Sequence, residues 1–273
     1  MTGHRNRNGR GTGTVTQEGA LIAREMDGQV AVLTMQYAPH NLLGERLAGE
    51  LFAALDWART AAARAVVLRS GLRHFCAGAD MNAFASAERG EATELPLVEL
   101  LRAFDALPVP IVASVNGVCV GGGLELALAS DLVIAAESAK LGSVEVTIGL
   151  APLMGAVQRL TQRAGAARAK EMAMLGRRFD ARTLERWNVI NRVVPDAELA
   201  GATMTLAQEL ANGPAVALAS IKELVSIAES EGVAAADQKM KAVQAGIWRS
   251  QDLIAGIASL TANGPGHARF QGR

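Results

Sequence analysis

Apolar residues fall along this chain in two rhythms, short unbroken runs and four-residue spacings, and their alternation sets out the elements. The runs Ala20–Arg24 and Val30–Met35 flank Met26-Asp27-Gly28-Gln29, where Asp-Gly marks the turn of a hairpin. Leu43, Leu47, Leu51 and Leu55 then recur every fourth position and predict an amphipathic helix over Leu42–Arg59. Ala65–Leu68 reads as a buried strand, followed by a loop from Gly71 to Phe75. Cys76-Ala77-Gly78-Ala79-Asp80 leads into a helical stretch near Met81, with Asp80 as its candidate N-cap. Polar Arg89–Glu94 separates it from a helix over Leu95–Leu107 that ends before Pro108.

The next stretch organises the rest. Ile111–Val115 is a buried strand, Asn116-Gly117 a turn, and Gly121, Gly122 and Gly123 open a helix running to about Ser130. Glu125 sits in its first turn. Glycines leave backbone N–H groups uncovered, and a helix N-terminus points such groups outward, toward negative charge. Leu132–Ala135 is a further strand, and Lys140–Gly149 is extended and irregular, with Glu145 in it. Pro152 suits the first turn of a helix through Leu160. Helices over Arg168–Leu175 and Ala181–Arg186 follow, with a strand over Val189–Val194. From Asp196 the pattern is helical throughout: Leu199–Ala211, Pro214–Ser230, Val233–Arg249 and Asp252–Leu260. The expected organisation is α/β, with a disordered tail over 1–19, a strand-rich core over 20–195 and a helical region over 196–273.

Composition narrows the function. Lys plus Arg and Asp plus Glu balance at 27 each, so a general nucleic-acid binder, which needs a basic surplus, is not expected. Aromatics at 4% argue against stacking platforms for single strands. The uncharged stretch Ala106–Leu124 contains Pro108, Pro110, Ser114 and Asn116 and reads as strand plus loop, not a membrane span. Arg5, Arg7 and Arg10 lie among Gly, Thr and Asn without an apolar segment, which is no secretory signal. Cys76 and Cys119 both lie in apolar runs and read as reduced core residues, which suits a cytoplasmic protein. The four histidines are scattered without metal-ligand spacing, and no metal is expected.

Two constellations remain. The loops Cys76–Asp80 and Gly121–Gly123 each follow a buried strand and precede a helix; on neighbouring strands their N–H groups can converge on one carbonyl oxygen. From spacing alone, two ordinary glycine-bearing turns stay open as the alternative. Glu125 and Glu145 both stand amid apolar residues. Isolated buried carboxylates are costly, whereas a pair can hold one water and divide acid and base roles. The other reading is that one or both reach solvent or an arginine. Ser114 and Ser143 have no suitably placed His and are not expected to be nucleophiles.

Taken together, Phe75-Cys76-Ala77-Gly78-Ala79-Asp80, Val115-Asn116-Gly117 with Gly121-Gly122-Gly123-Leu124-Glu125, Ser130-Asp131, Glu145-x-x-x-Gly149-x-x-Pro152 and Gln158-Arg159-Leu160 fall in a telling order and spacing. This set resembles the crotonase superfamily, the enoyl-CoA hydratases and isomerases, over about residues 20–260. The resemblance implies a crotonase-type spiral of ββα units, with C-terminal helices that build trimers, often paired into hexamers. It implies that the Ala79 and Gly122 N–H groups form an oxyanion hole for a CoA thioester. The carbonyl of Ala77 would meet adenine, Arg73 a CoA phosphate, and Asp80 lies in the same CoA-binding loop. Glu125 matches the water-activating base and Glu145 the proton donor to C2. The substrate would be an acyl-CoA, with no separate cofactor, and the reaction hydration of a 2-enoyl-CoA; isomerisation or simple acyl-CoA binding are the alternatives. One departure stands at the site. The hydratase pattern after Pro152 is Gly-Ala-Gly-Gly, here Leu153-Met154-Gly155-Ala156, so Leu153 would reshape the acyl pocket near the catalytic water. The C-terminal pattern departs too, with Ala255 for the usual Glu and Gly266-His267-Ala268-Arg269-Phe270 in the tail.

Overall fold

A computed structural model describes residues 19–84 and 97–273. Residues 1–18 of the tail expected over 1–19, and the polar stretch Arg89–Glu94, lie outside the described residues. Strands β1 (Ile22–Asp27) and β2 (Val30–Met35) form the predicted hairpin, with Asp27 opposite Val30 and Gly28 at φ 61° in the turn. β3 (Ala65–Ser70), β4 (Ile111–Val115), β6 (Leu132–Ala136) and β9 (Arg192–Val194) add to β2 in parallel, giving the order β1-β2-β3-β4-β6-β9. Val66, Val67, Leu68, Ile111, Val112, Ala113, Val133 and Ile134 are buried, as parallel strands covered on both faces require. A smaller sheet combines β5 (Val118–Val120), β7 (Lys140–Gly142) and β8 (Phe179–Asp180).

Helix α1 (Glu45–Thr60) buries Leu47, Leu51 and Leu55, as the four-residue spacing predicts. Leu43 is not in it. Its backbone is taken by the Cys76–Asp80 loop, with Leu43 N–H donating to Gly78 O and Asp80 N–H to Leu43 O, both at 2.8 Å. The chain is therefore extended there, and the helix starts after Gly44. After Asp80 the described residues continue in a 3₁₀ turn, Met81–Phe84, where a helical stretch is expected; Asp80 Oδ1 accepts from Asn82 N–H at 3.0 Å. α2 is Leu97–Ala106 and α3 is Gly122–Ala129, buried along its whole length. α4 (Ala156–Leu175) joins two predicted helices across a non-helical Gly165. α5 (Ala181–Arg186) is capped by Asp180, and the strand expected from Val189 shortens to β9 because Asn191 turns in to accept from Val133 N–H.

α6 (Leu199–Ala211) packs across β2, β3, β4 and β6, and Leu199, Ala207 and Ala211 join the core. The switch to helix at 196 is thus a change of secondary structure inside the same packed body. α7 (Ala215–Glu231), α8 (Val233–Val243) and α9 (Gln251–Asn263) bury far less: α7 only Ser220, α8 only Ala236, α9 only Asp252. A 3₁₀ turn over Gln244–Arg249 breaks the single helix expected there. The C-terminal tail returns to the body, where Asp252 accepts from the N–H groups of Gln271 at 2.7 Å and Gly272 at 2.8 Å. No described helix is long and apolar enough to cross a membrane.

Candidate active site

The two glycine loops meet. Cys76 and Cys119 are bridge partners, and Val120 N–H donates to Cys76 O at 3.1 Å. These bonds bring Gly78 and Gly121 side by side, so that a methyl group on Gly121 would stand 3.6 Å from Gly78 Cα. Gly123 permits the close approach of α3 to this loop: a methyl group there would meet Cys76 O and lie 2.7 Å from Cys76 Cβ. Both thiols are fully buried, and burial pushes Cys76 up to about 12, which leaves it an inert packing group.

Ala79 and Gly122 flank the same residue. Leu43 pairs with Ala79 in a parallel bridge, and its Cδ2 would be 2.9 Å from a methyl group on Gly122. In that bridge Leu43 uses the N–H of Asp80 and the carbonyl of Gly78, which turns the Ala79 N–H away from it. Gly122 is the first residue of α3, where an N–H has no partner inside the helix. Among the described residues neither N–H donates to a protein acceptor. The two loops are thus neighbours, with Ala79 and Gly122 both beside Leu43.

Glu125 is 3% exposed and, among the described residues, forms no ion pair with an arginine. Its Oε1 instead accepts two main-chain hydrogen bonds, from Met154 N–H at 2.7 Å and Ala156 N–H at 3.1 Å. Burial raises its pKa to about 7; the two N–H donors and Arg159 pull it down, and the charge of Glu145 pushes it up. Arg159 is itself turned to Asp105, at 3.5 Å.

The donors exist because α4 starts late. The helix expected from Pro152 begins at Ala156, after Gly155 at φ 86°, a left-handed conformation that suits glycine. The intervening turn leaves the N–H groups of 154 and 156 outside the helical ladder. Met154 is buried, whereas Leu153 is 43% exposed and belongs to no core cluster.

Glu145 starts a 3₁₀ turn, Glu145–Ile148, and is half-buried. Its Oε2 accepts from Ser143 Oγ–H at 2.7 Å. Its Oε1 is shut off from solvent without a hydrogen-bond partner among the described residues, and lies 3.7 Å from where a methyl group on Gly121 would be. Both glutamates thus attend the same glycine loop, one from α3 and one from the segment after β7.

The remaining expected residues lie on the Cys76–Asp80 loop or just before it. Arg73 is exposed, and its carbonyl accepts from Asn116 Nδ2 at 3.2 Å. Ala77 donates its N–H to His40 O at 3.0 Å and is half-buried, with Asp80 three residues on. His74 is a structural group: Nδ1 accepts from Val118 N–H at 3.2 Å, and burial with neighbouring Arg73 lowers its pKa, keeping the ring neutral. Among the described residues no three His, Cys, Asp or Glu side chains are grouped to hold a metal ion. Sequence reasoning misses Met154, Ala156 and Ser143. The first two act through main-chain atoms, which leave no residue-type signal. Ser143 carries one, a polar residue two positions from Glu145 on an otherwise apolar run.

Residues 25–256 match a family model described as enoyl-CoA hydratase/isomerase. A carnitinyl-CoA dehydratase of Salmonella paratyphi B is 40% identical over 162 residues, 59% of this chain and 62% of that one. The matched segment thus spans less than two thirds of that relative. Among solved structures, an enoyl-CoA hydratase from Bacillus anthracis superposes with a TM-score of 0.84 at 28% identity, covering 93% of this chain and 100% of that one. An enoyl-CoA hydratase from a Polaromonas species gives 0.83 at 27% identity, over 92% and 99%. With residues 25–256, which carry the paired loops and both glutamates described above, matching the family model, and with solved hydratases superposing over more than nine tenths of its length, the chain belongs to the enoyl-CoA hydratase/isomerase family and has the crotonase fold.

Proposed function

We propose that the chain is a hydro-lyase that adds water reversibly across the C2=C3 bond of a 2-enoyl-CoA thioester. The observation that carries this reading is the presence of two differently held carboxylates at one glycine loop, Glu125 on main-chain donors and Glu145 with an oxygen that has no partner among the described residues. A single carboxylate suffices to shuttle a proton between carbons; addition of water calls for a base at the water and an acid at C2. The dehydratase among its relatives is in keeping with that.

In this mechanism the thioester oxygen accepts from the Ala79 and Gly122 N–H groups. Negative charge grows on that oxygen as the enolate forms, and each fixed donor contributes about 3 kcal/mol there. Glu125, poised near neutrality, takes a proton from water as its oxygen bonds to C3. The enolate electrons then form the C2–H bond with a proton from Glu145, and the thioester carbonyl is restored. Arg73 would meet a CoA phosphate, and the Ala77 carbonyl the adenine, with Asp80 in the same loop. The chemistry asks for no metal or redox cofactor.

The test is incubation with short and medium 2-enoyl-CoAs, following loss of the conjugated chromophore and incorporation of ¹⁸O from water. Hydration that is lost in Glu145→Gln is expected. A shift of the double bond without ¹⁸O would replace the reading with isomerisation, and CoA-ester binding with an unaltered acyl chain would replace it with a binding role. Leu153 is the one feature that favours isomerisation, since it stands where the hydratase pattern has glycine. Leu153→Gly is expected to raise hydration relative to any double-bond shift in the same assay.

A further inference from the structure

Glu125 and Glu145 are held by different kinds of group. Glu125 rests on two main-chain N–H donors, which no substitution at those positions except proline removes. Among the described residues Glu145 has one donor, the hydroxyl of Ser143. Ser143 is fully buried, and it follows directly on β7, whose Gly142 pairs with Val120 and accepts from Gly121 N–H at 3.0 Å. The hydroxyl is therefore fixed in register with the glycine loop itself. A hydroxyl carries a single proton, and here it is spent on Oε2. An oxygen that accepts a hydrogen bond is the better carbonyl oxygen of a protonated carboxyl. The acid proton is thereby left to Oε1, the oxygen beside Gly121 that is closed to solvent and has no partner among the described residues.

We propose that Ser143 is a positioning residue that keeps the transferable proton of Glu145 on Oε1, aimed at the substrate carbon next to the thioester. This rests on the proposed role of Glu145 as the acid at C2. In the step, the Oε1–H bond breaks, its electron pair stays on the carboxylate, and the enolate pair forms the new C2–H bond as the C=O re-forms. Ser143 keeps its own proton throughout and stabilises the carboxylate that results.

The experiment follows exchange of the two α hydrogens of butanoyl-CoA in D₂O, resolved by NMR, in the wild type, Ser143→Ala and Ser143→Thr. This exchange runs through the same enolate and Glu145 but needs no addition of water. Hydration can therefore fail while exchange persists, which would remove the hydro-lyase reading and leave this proposal standing. Expected in Ser143→Ala is a loss of about ten- to a hundredfold in the exchange rate constant, the worth of one hydrogen bond to a charged group, with the KM for the CoA ester unchanged. Preference for one of the two α positions is expected to weaken as well. Ser143→Thr, which keeps the hydroxyl, is expected to restore both. Thermal unfolding of each variant separates a folded protein from a collapsed one, and if Ser143→Ala does not fold, Ser143→Cys, a weak donor of similar size, takes its place. Exchange at wild-type rate and selectivity in the folded alanine or cysteine variant overturns the proposal. Absence of exchange in the wild type overturns it together with the role of Glu145.

Discussion

At the scale of single residues, Glu125 couples chemistry to stability. Its pKa of about 7 in the folded chain lies above the ordinary 4.5, because burial outweighs the two N–H donors. The folded state thus keeps a proton that the unfolded chain gives up. Stability should fall as pH rises from about 4.5 to about 7 and level off above, a loss of about 3 kcal/mol from this group. Glu125→Gln keeps an oxygen for Met154 and Ala156 but cannot ionise. Its melting temperature is expected to exceed that of the wild type at pH 8 and to match it at pH 4, measured by calorimetry; equal melting curves at pH 8 would refute the ionised, desolvated state. Activity should show the opposite limb. If Glu125 is the base, kcat/KM rises with pH through an apparent pKa near 7, and Glu125→Gln loses at least about a hundredfold of it.

Elements explain why the glutamates were legible and their supports were not. Glu125 and Glu145 stand out in the sequence as charged residues among Leu and Val, and the glycine triplet that opens α3 announces exposed amides. The late start of α4 does not announce itself: Pro152 favours an earlier helix, and only the left-handed Gly155 delays it. Leu43 keeps the helical spacing of α1 yet lies outside it, because a strand-like bridge to Ala79 competes for its backbone. Local pattern reads side chains, while these outcomes are decided by distant main-chain partners. The same contrast can be measured with two glycines. Gly123→Ala drives a methyl group into the Cys76 backbone and is expected to cost about 3 kcal/mol or prevent folding. Gly49→Ala, exposed in mid-α1 with nothing near the new methyl, is expected to stabilise by about 1 kcal/mol. Urea titration of both variants checks the pair.

For the whole molecule, the C-terminal helices leave large apolar side chains in the open. Ile221 and Val225 on α7, Trp248 before α9, and Ile254, Ile257 and Leu260 on α9 are each more than half exposed. Exposed apolar side chains on helices that bury so little mark candidate contact surfaces, and copies of the same chain are the expected occupant. Light scattering should give a mass of three or six chains, and Trp248→Glu with Ile257→Asp should shift it toward one; a monomer in the wild type would refute the assembly. The way Glu125 is held has a different kind of reach. Its grip comes from amides at 154 and 156, which every residue but proline supplies, while the neighbouring side chain at 153 lies half in the open. Acid strength and substrate shape are therefore heritable apart. A lineage can change residue 153 to suit a new acyl group and pass on its base unaltered, and directed evolution of this chain can begin there.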